Sequence, residues 1–278
     1  SPDRIIVGID DKSLEKIFTD LYRPFSINHE KLIFMDIKSS ELTKYASNAM
    51  LATKISFMNE MSILAESLGA DINNVRKGVG SDSRIGYSYI YPSIGYGGSC
   101  FKKDLNSMID FSKKHNFDLN IIKSVEKTNK YQKEYFLNKI LQRFNAGKTI
   151  KNKVFTIWGL SFKPGTNDVR GAVSIYIINQ ILNNGGILNL YDPKAIDDIK
   201  EIFKDNKSIN YFNDKYKAVD SSDALILLTE WPEFRSPDFN LLKQKLNNAL
   251  VFDGRNQYDK FHMKSLGFEY HQIGVKNL

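Results

Sequence analysis

The one cysteine of the chain lies among residues whose types and spacing could support covalent chemistry. Cys100 stands within the sequence GYGGSCFKKD at positions 95–104. Its three glycines would let the backbone approach a ligand closely or adopt a positive φ. Ser99 is predicted to cap a helix through FKKDLNSMIDFSKK, which places Cys100 in the first turn. There the helix dipole and two lysines favour a thiolate.

Asp104, four residues on, shares that face, so a nucleophile and a carboxylate are predicted to face one cavity. The alternative is a buried free cysteine beside a glycine turn.

A second set of polar residues lies on a long helix, which is predicted from Ser40 to Gly69 and expected to be buried on most sides because it carries few charges. Lys44 and Asn48 are four residues apart and share a face, on which Asn59 also falls three turns later. Buried polar groups need partners. The partner could be a bound ligand or other helices in an interhelical hydrogen-bonded stripe, and the residues alone leave both open.

The second half of the chain alternates strand and helix patterns from Lys153 onwards. Such alternation predicts a parallel, doubly wound sheet, whose ligands bind beyond the carboxyl ends of the strands. The candidates at predicted strand ends are Phe162, Lys163 and Arg255. For Asp192 and Trp231 we predict structural roles, as a strand-end turn and a core aromatic.

Composition limits the classes of protein that fit. A length of 278 residues suggests two domains, and 42% hydrophobic and 26% charged residues are ordinary for a soluble globular protein. The net charge of +7 fits an anionic ligand, although a lysine-rich composition alone would also give it. One cysteine fits a reducing cytoplasm. We predict no metal site, no nucleic-acid partner and no membrane span.

The sequence GYGGSCFKKDL resembles the catalytic-cysteine motif of the UDP-glucose 6-dehydrogenases, which belong to the wider nucleotide-sugar dehydrogenase family. The resemblance extends over nearly the whole chain. These enzymes oxidise the primary alcohol of the sugar to a carboxylate with two NAD and a cysteine-bound intermediate. The chain departs from the family pattern at Lys102, where relatives often have proline, and at Gly171, where they usually have glutamate.

The resemblance also implies roles for individual residues. Lys44 and Asn48 match a K-x-x-x-N motif at the reacting centre, and Arg84 matches an arginine that reaches into the neighbouring subunit's site. A solvated loop arginine is the alternative for Arg84. The implied substrate contacts are Lys44, Asn48, Arg84, Tyr91, Pro92, Ser93, Ile94, Gly95, Tyr96, Gly97, Phe162, Lys163 and Arg255. The implied NAD contacts are Lys103 and Arg170.

The same resemblance implies a domain plan. Residues 1–38 are expected to be a remnant of an NAD-binding domain, and 39–128 a central all-helical dimerisation domain. A connecting helix at 129–152 leads to a Rossmann-like UDP-binding domain at 153–278. The nearest approach to a G-x-G-x-x-G fingerprint starts at Gly95 and lacks its third glycine. We therefore expect this chain to bind UDP-glucose without turning it over.

The mechanism that the family implies has two oxidations. Lys44, Asn48 and Asp104 would manage the proton and the developing oxyanion, and Cys100 would form a thiohemiacetal and then a thioester. One alternative is a dehydrogenase for a UDP-N-acetylhexosamine or GDP-mannose. The other is a non-catalytic nucleotide-sugar-binding module.

Overall fold

The computed structural model describes residues 3–25, 31–145, 149–204 and 206–276. The chain divides into two compact units, Ser1–Leu51 and Ala52–Leu278, which are treated separately below. The first is small and contains a two-stranded sheet, and the second contains long helices followed by a six-stranded sheet. The predicted α/β class, with helices first and a parallel sheet after them, is confirmed.

The first unit begins with a strand–helix–strand element. Strand β1 (Ile5–Gly8) pairs in parallel with β2 (Leu32–Met35), and helix α1 (Glu15–Tyr22) lies between them in sequence. A helix with one apolar side is predicted here. In the structure Ile17 and Leu21 on that side are exposed, so this side of α1 is not covered within the described residues.

Helix α2 (Ile37–Leu68) is the longest element and continues from the first unit into the second. It starts three residues before the predicted Ser40, because the carboxylate of Asp36 accepts a hydrogen bond from the backbone N–H of Ser39 and so caps the helix. It ends where predicted, at Gly69, which has a φ of +74°. The expectation that α2 is buried on most sides is wrong in part: large apolar side chains on one stripe are exposed.

Three further helices complete the helical region: α3 (Ile72–Gly80), α4 (Ser99–Lys114) and α5 (Asn120–Asn145). The prediction that Ser99 caps α4 is wrong by one residue. Gly98, with a φ of 88°, occupies the cap position, and Ser99 lies in the first turn. Gly98 packs so closely on the ring of Phe162 that a side chain at this position would clash, and this contact fixes where the helix begins.

The six-stranded sheet has the order β5-β4-β3-β6-β7-β8, and every neighbouring pair is parallel. Its strands are β3 (Val154–Trp158), β4 (Ile187–Tyr191), β5 (Ile209–Tyr211), β6 (Ala224–Leu227), β7 (Leu250–Asp253) and β8 (Glu269–Gln272). The helices that follow or link them are α6 (Val173–Asn183), α7 (Ile196–Ile202), α8 (Lys215–Ala218), α9 (Phe239–Lys245) and α10 (Lys260–Ser265). The order reverses between β3 and β6, which is the position where open α/β sheets bind ligands.

Both faces of this sheet are buried. On β3, Phe155 and Ile157 belong to one apolar cluster, whereas Trp158 belongs to the other. Burial on both faces explains the nearly continuous apolar strands. Ile94, from the loop before α4, is fully buried in the first cluster and so joins that loop to the sheet's core. In the described part of the chain, no helix is both long and apolar enough to span a bilayer.

Candidate functional site

A cavity of about 360 Å³ in the second unit brings together residues from distant parts of the sequence, between positions 55 and 257. The loop before α4 forms one wall, and the segments after β6 and β7 form the other. Six residues predicted to contact substrate line it: Tyr91, Pro92, Ser93, Gly95, Tyr96 and Arg255. Five lining residues were not predicted: Ile55, Tyr89, Glu230, Arg235 and Gln257. The loop and the arginine thus lie at one site although about 160 residues separate them.

Amide side chains from two helices hold the loop backbone in place. The Oδ1 of Asn59 in α2 accepts the backbone N–H of Ser93 at 2.8 Å, and the Nε2 of Gln132 in α5 donates to the Ser93 carbonyl at 2.8 Å. The N–H of Ile94 donates to the carbonyl of Gly254 at 2.9 Å. Because these backbone groups are buried, each would otherwise lack a partner. The loop is therefore fixed before any ligand arrives.

Asn129 of α5 holds the next part of the loop through both ends of its amide. Its Oδ1 accepts the backbone N–H of Tyr96 at 2.9 Å, and its Nδ2 donates to the Tyr96 carbonyl at 3.2 Å. The Tyr96 hydroxyl donates to Glu126 at 2.6 Å. Burial, and next the carboxylate of Glu126, raise the pKa of Tyr96 well above its usual range, so the phenol stays protonated.

Arg255 is one of two arginines that line the cavity, the other being Arg235. The Nε of Arg255 donates to the carbonyl of Leu228 at 2.7 Å and lies 3.3 Å from Glu230 Oε2. Among the described residues, the terminal Nη atoms of Arg255 make no hydrogen bond. The guanidinium is thus held at one nitrogen, and the other two remain available for an anion.

Asp253 fixes the turn that carries this arginine. The side chain is fully buried and accepts hydrogen bonds from the backbone N–H of Arg255 at 2.8 Å and of Gln257 at 2.7 Å. It also accepts from the Tyr270 hydroxyl at 2.8 Å. Burial raises the pKa of Asp253, and the donors oppose that rise. The position of Arg255 follows from this buried acceptor.

Two glycines let the loop approach the segment after β3. A Cβ on Gly97 would lie 2.7 Å from the carbonyl oxygen of Gly171, and a Cβ on Gly98 would lie 2.9 Å from the Phe162 ring. Side chains do not tolerate such distances. The predicted substrate residue Phe162 therefore contacts the turn that leads into α4, and Lys163, which is exposed, lies with its Nζ 5.3 Å from the Phe162 ring.

Cys100 is exposed in the first turn of α4, so the alternative of a buried cysteine is wrong. Asp104 lies one turn later on the same helix and is partly buried. Neither residue is among those that line the cavity at Arg255. The arrangement leaves the sulfur accessible to a reactant.

The two other predicted arginines have a common geometry. Arg84 and Arg170 each pair with the aspartate two residues earlier, Asp82 at 2.6 Å and Asp168 at 2.8 Å. Both arginine side chains are mostly exposed, as is the whole of Lys103. These residues lie on the surface of the described chain, outside the cavity at Arg255.

Lys44 and Asn48 lie in the first unit. Lys44 is exposed and Asn48 is buried, and both line a groove of about 540 Å³ that also includes Arg4 and Ser47. The Nη2 of Arg4 donates to the Ser47 hydroxyl at 3.3 Å. The shared helical face predicted for Lys44 and Asn48 is thus found within one groove.

The structural roles predicted for Asp192 and Trp231 are confirmed. Asp192 accepts hydrogen bonds from the backbone N–H groups of Leu160 and Lys194, and Trp231 donates its Nε1–H to the same carboxylate at 3.1 Å. Trp231 is buried in the second apolar cluster.

Sequence reasoning missed the amides that support the loop. Asn129 and Gln132 stand three residues apart on α5 and are buried, at 6% and 0% exposure. Two polar residues on the apolar side of an amphipathic helix are the signal that could have found them. Glu230 and Arg235 carried no such signal, because only the packing of β6 beside β7 brings them to Arg255.

Two family models match the chain. The central domain of the UDP-glucose/GDP-mannose dehydrogenase family matches residues 38–131, and the UDP binding domain of that family matches residues 156–260. The supported loop at 91–97 lies within the first match, and Arg255 lies within the second. The chain belongs to the UDP-glucose/GDP-mannose dehydrogenase family.

Individual relatives agree with this assignment. The chain is 40% identical to a UDP-glucose 6-dehydrogenase from Pseudomonas aeruginosa, over 98% of the chain and 60% of that relative. It is 36% identical to the UDP-glucose 6-dehydrogenase TuaD of Bacillus subtilis, over 98% of the chain and 57% of that relative. A solved UDP-glucose dehydrogenase from Pyrobaculum islandicum superposes with a TM-score of 0.85 at 30% identity, over 99% of the chain and 59% of that structure. The chain thus spans about three-fifths of the length of the curated relatives it matches.

Proposed function

We propose that the chain provides the UDP-sugar-binding and cysteine-bearing parts of an NAD-dependent UDP-glucose 6-dehydrogenase. The observation that carries this proposal is the cavity where the Tyr91–Gly97 loop meets Arg255. Its walls offer what a nucleoside diphosphate needs: an available guanidinium, aromatic side chains and a backbone already fixed by Asn59, Asn129 and Gln132.

In this proposal, an arginine and two tyrosines of the cavity contact the bound nucleotide. The Nη atoms of Arg255 donate to oxygen atoms of the ligand, and Tyr89 and Tyr91 supply aromatic surface for its apolar parts. Arg76 supports Tyr91, because its guanidinium carbon lies 3.7 Å from the centre of the Tyr91 ring. Lys163 adds a further positive charge near the turn at Gly97 and Gly98, which is called the glycine turn below.

Cys100 would then act on the sugar at the aldehyde level. Its sulfur bonds to the aldehyde carbon, and the carbonyl oxygen becomes an alkoxide that takes a proton. Lys44 and Asn48 would hold that oxygen, as the family resemblance implies. Oxidation of the adduct leaves a thioester, which a water molecule positioned by Asp104 hydrolyses to the uronate.

NAD is the oxidant that the resemblance implies, and when bound it would supply the hydride acceptor for the two oxidations. The described residues offer it two exposed cations, Lys103 and Arg170, of which Arg170 is paired with Asp168. The sequence holds no G-x-G-x-x-G turn to receive a pyrophosphate. These residues do not make a dinucleotide site by themselves, so we expect this chain to bind the sugar nucleotide without oxidising it.

The proposal is tested by calorimetric titration of the chain with UDP-glucose, UDP-N-acetylglucosamine and GDP-mannose. We expect UDP-glucose to bind at least tenfold more tightly than the other two. If UDP-N-acetylglucosamine or GDP-mannose binds more tightly, that nucleotide sugar becomes the proposed substrate instead of UDP-glucose. If none of the three shows saturable binding, the assignment of a nucleotide-sugar site is overturned.

A further inference from the structure

A second cavity, of about 540 Å³, lies behind the glycine turn and is separate in its lining from the cavity at Arg255 except for Tyr96. It is lined by the first turn of α4, the middle of α5 and the segment that leads into α6. Its charged and loop residues include Lys102, Glu126, Lys127, Lys130, Lys133 and Gly171. None of these six lines the cavity at Arg255.

The cavity is strongly positive. Among the described residues, none of its four lysines has a carboxylate oxygen within 4.0 Å, and the single carboxylate, Glu126, already accepts from the Tyr96 hydroxyl at 2.6 Å. Lys130 and Lys133 are three residues apart on α5 and therefore neighbours on its surface. Four like charges around one concave space repel each other and concentrate a positive potential there.

Lys133 is the most enclosed of the four. Burial lowers the pKa of Lys133, the charge of Lys102 acts in the same direction, and Glu126 opposes both. A cation held in this way is destabilised unless a counter-charge enters the cavity. An anion bound there would remove the repulsion and restore the ordinary protonation of the lysine.

Both positions at which the chain departs from its family's motifs line this one cavity. Lys102 adds a positive charge on the side of the cavity formed by α4. Gly171 has no side chain, and its φ of +63° and the carbonyl oxygen of Gly98, 3.2 Å from where a Cβ would lie, both disfavour one.

We propose that this cavity binds a phosphate-bearing anion with at least two negative charges. Ammonium groups are point charges that suit phosphate oxygens arriving from several directions, and the ring of lysines surrounds such an ion instead of forking onto a carboxylate. The bound anion joins Lys102 of α4 to Lys130 and Lys133 of α5. It thereby stabilises the turn that carries Cys100.

The test is a calorimetric titration of the chain with inorganic pyrophosphate at constant ionic strength. We expect saturable binding that weakens at least tenfold in the double variant Lys130→Gln/Lys133→Gln. The matched control, Lys113→Gln/Lys114→Gln, removes two lysines from the end of α4 and should bind like the unaltered chain. Equal weakening in both double variants, or no binding beyond that of chloride, overturns the proposal.

Two further arms locate the anion and identify its source. Gly171→Glu should abolish binding while Gly171→Ala, which has the same backbone strain without the charge, should retain most of it; equal affinities in the two variants overturn the proposal. The pyrophosphate binding that Lys130→Gln/Lys133→Gln weakens should be retained in Arg255→Gln, and its loss there places the anion in the other cavity. Adenosine diphosphate binding more tightly than pyrophosphate identifies a nucleotide as the source, and equal affinities identify the phosphate groups alone.

Discussion

At the scale of single residues, the candidate site depends on side chains that touch no substrate. Asn59, Asn129 and Gln132 hold the loop backbone, and Asp253 holds the turn at Arg255. Each is buried, so each satisfies a backbone group that has no access to water. Replacing one of these side chains therefore lowers the free energy of unfolding by an amount that depends on the buried backbone group left without a partner.

Asn129→Ala should reduce the free energy of unfolding by about 2–4 kcal/mol, because the buried N–H and carbonyl of Tyr96 both lose their partner. Chemical denaturation measures the change. Asn106→Ala, at an exposed position on α4, is the control and should stay within about 0.5 kcal/mol. Similar values for the two variants would show that the loop does not depend on Asn129.

Cys100 should be alkylated by iodoacetamide in the native protein, because its side chain is exposed. If the sugar lies against the sulfur, saturating UDP-glucose should slow alkylation at least fivefold. UDP, which lacks the sugar, is the control and should slow it less. The measurement is the rate of mass increase in intact-protein mass spectrometry. Identical rates with and without UDP-glucose would contradict the role proposed for Cys100.

At the scale of elements, the glycine turn joins the helical region to the sheet. Gly97→Ala would place a methyl group 2.7 Å from the carbonyl oxygen of Gly171, so the turn must move away from the segment before α6. We expect at least a tenfold loss of UDP-glucose affinity together with a lower melting temperature. Gly78→Ala is the control: nothing lies within 4 Å of its Cβ, and alanine in α3 should stabilise the helix by about 0.5–1 kcal/mol. An unchanged affinity in Gly97→Ala would show that the close contact is not needed.

Helix α2 carries an apolar stripe that the described chain leaves uncovered. Phe57, Leu64 and Leu68 are 52%, 49% and 73% exposed and lie on one face by their spacing. We propose that a second copy of the chain covers this stripe, which agrees with the dimerisation that the family resemblance implies.

Leu64→Glu should convert a dimer into a monomer at micromolar concentration, because a charge would be buried in the apolar contact. Sedimentation velocity measures the result. Ile202→Glu, at a 49% exposed position at the end of α7, should leave the dimer intact. A monomeric unaltered chain would contradict the proposal directly.

The elements themselves could be predicted from the sequence to different degrees. The sheet and α2 were predicted well, because apolar runs and a terminal glycine are local signals. The cap of α4 was predicted one residue late, because Gly98 is fixed by its contact with Phe162, which is 64 residues away. The position of Asn129 and Gln132 on the apolar side of α5 indicates burial, but nothing in their residue types indicates which backbone groups they hold. The motif around Arg255 identified that residue, whereas its neighbour Glu230 lies in the segment after β6, which carries no motif.

At the scale of the whole molecule, the proposed function requires a nucleotide-sugar site in the cavity at Arg255. The most direct measurement is a calorimetric titration with UDP-glucose of the unaltered chain, Arg255→Gln and Arg143→Gln. Arg143, which pairs with Glu269 outside the cavity, is the control. We expect saturable binding in the unaltered chain and in Arg143→Gln, and at least a tenfold weaker affinity in Arg255→Gln, equivalent to about 1.4 kcal/mol. Equal affinity in all three proteins, or no binding to any, would contradict the account.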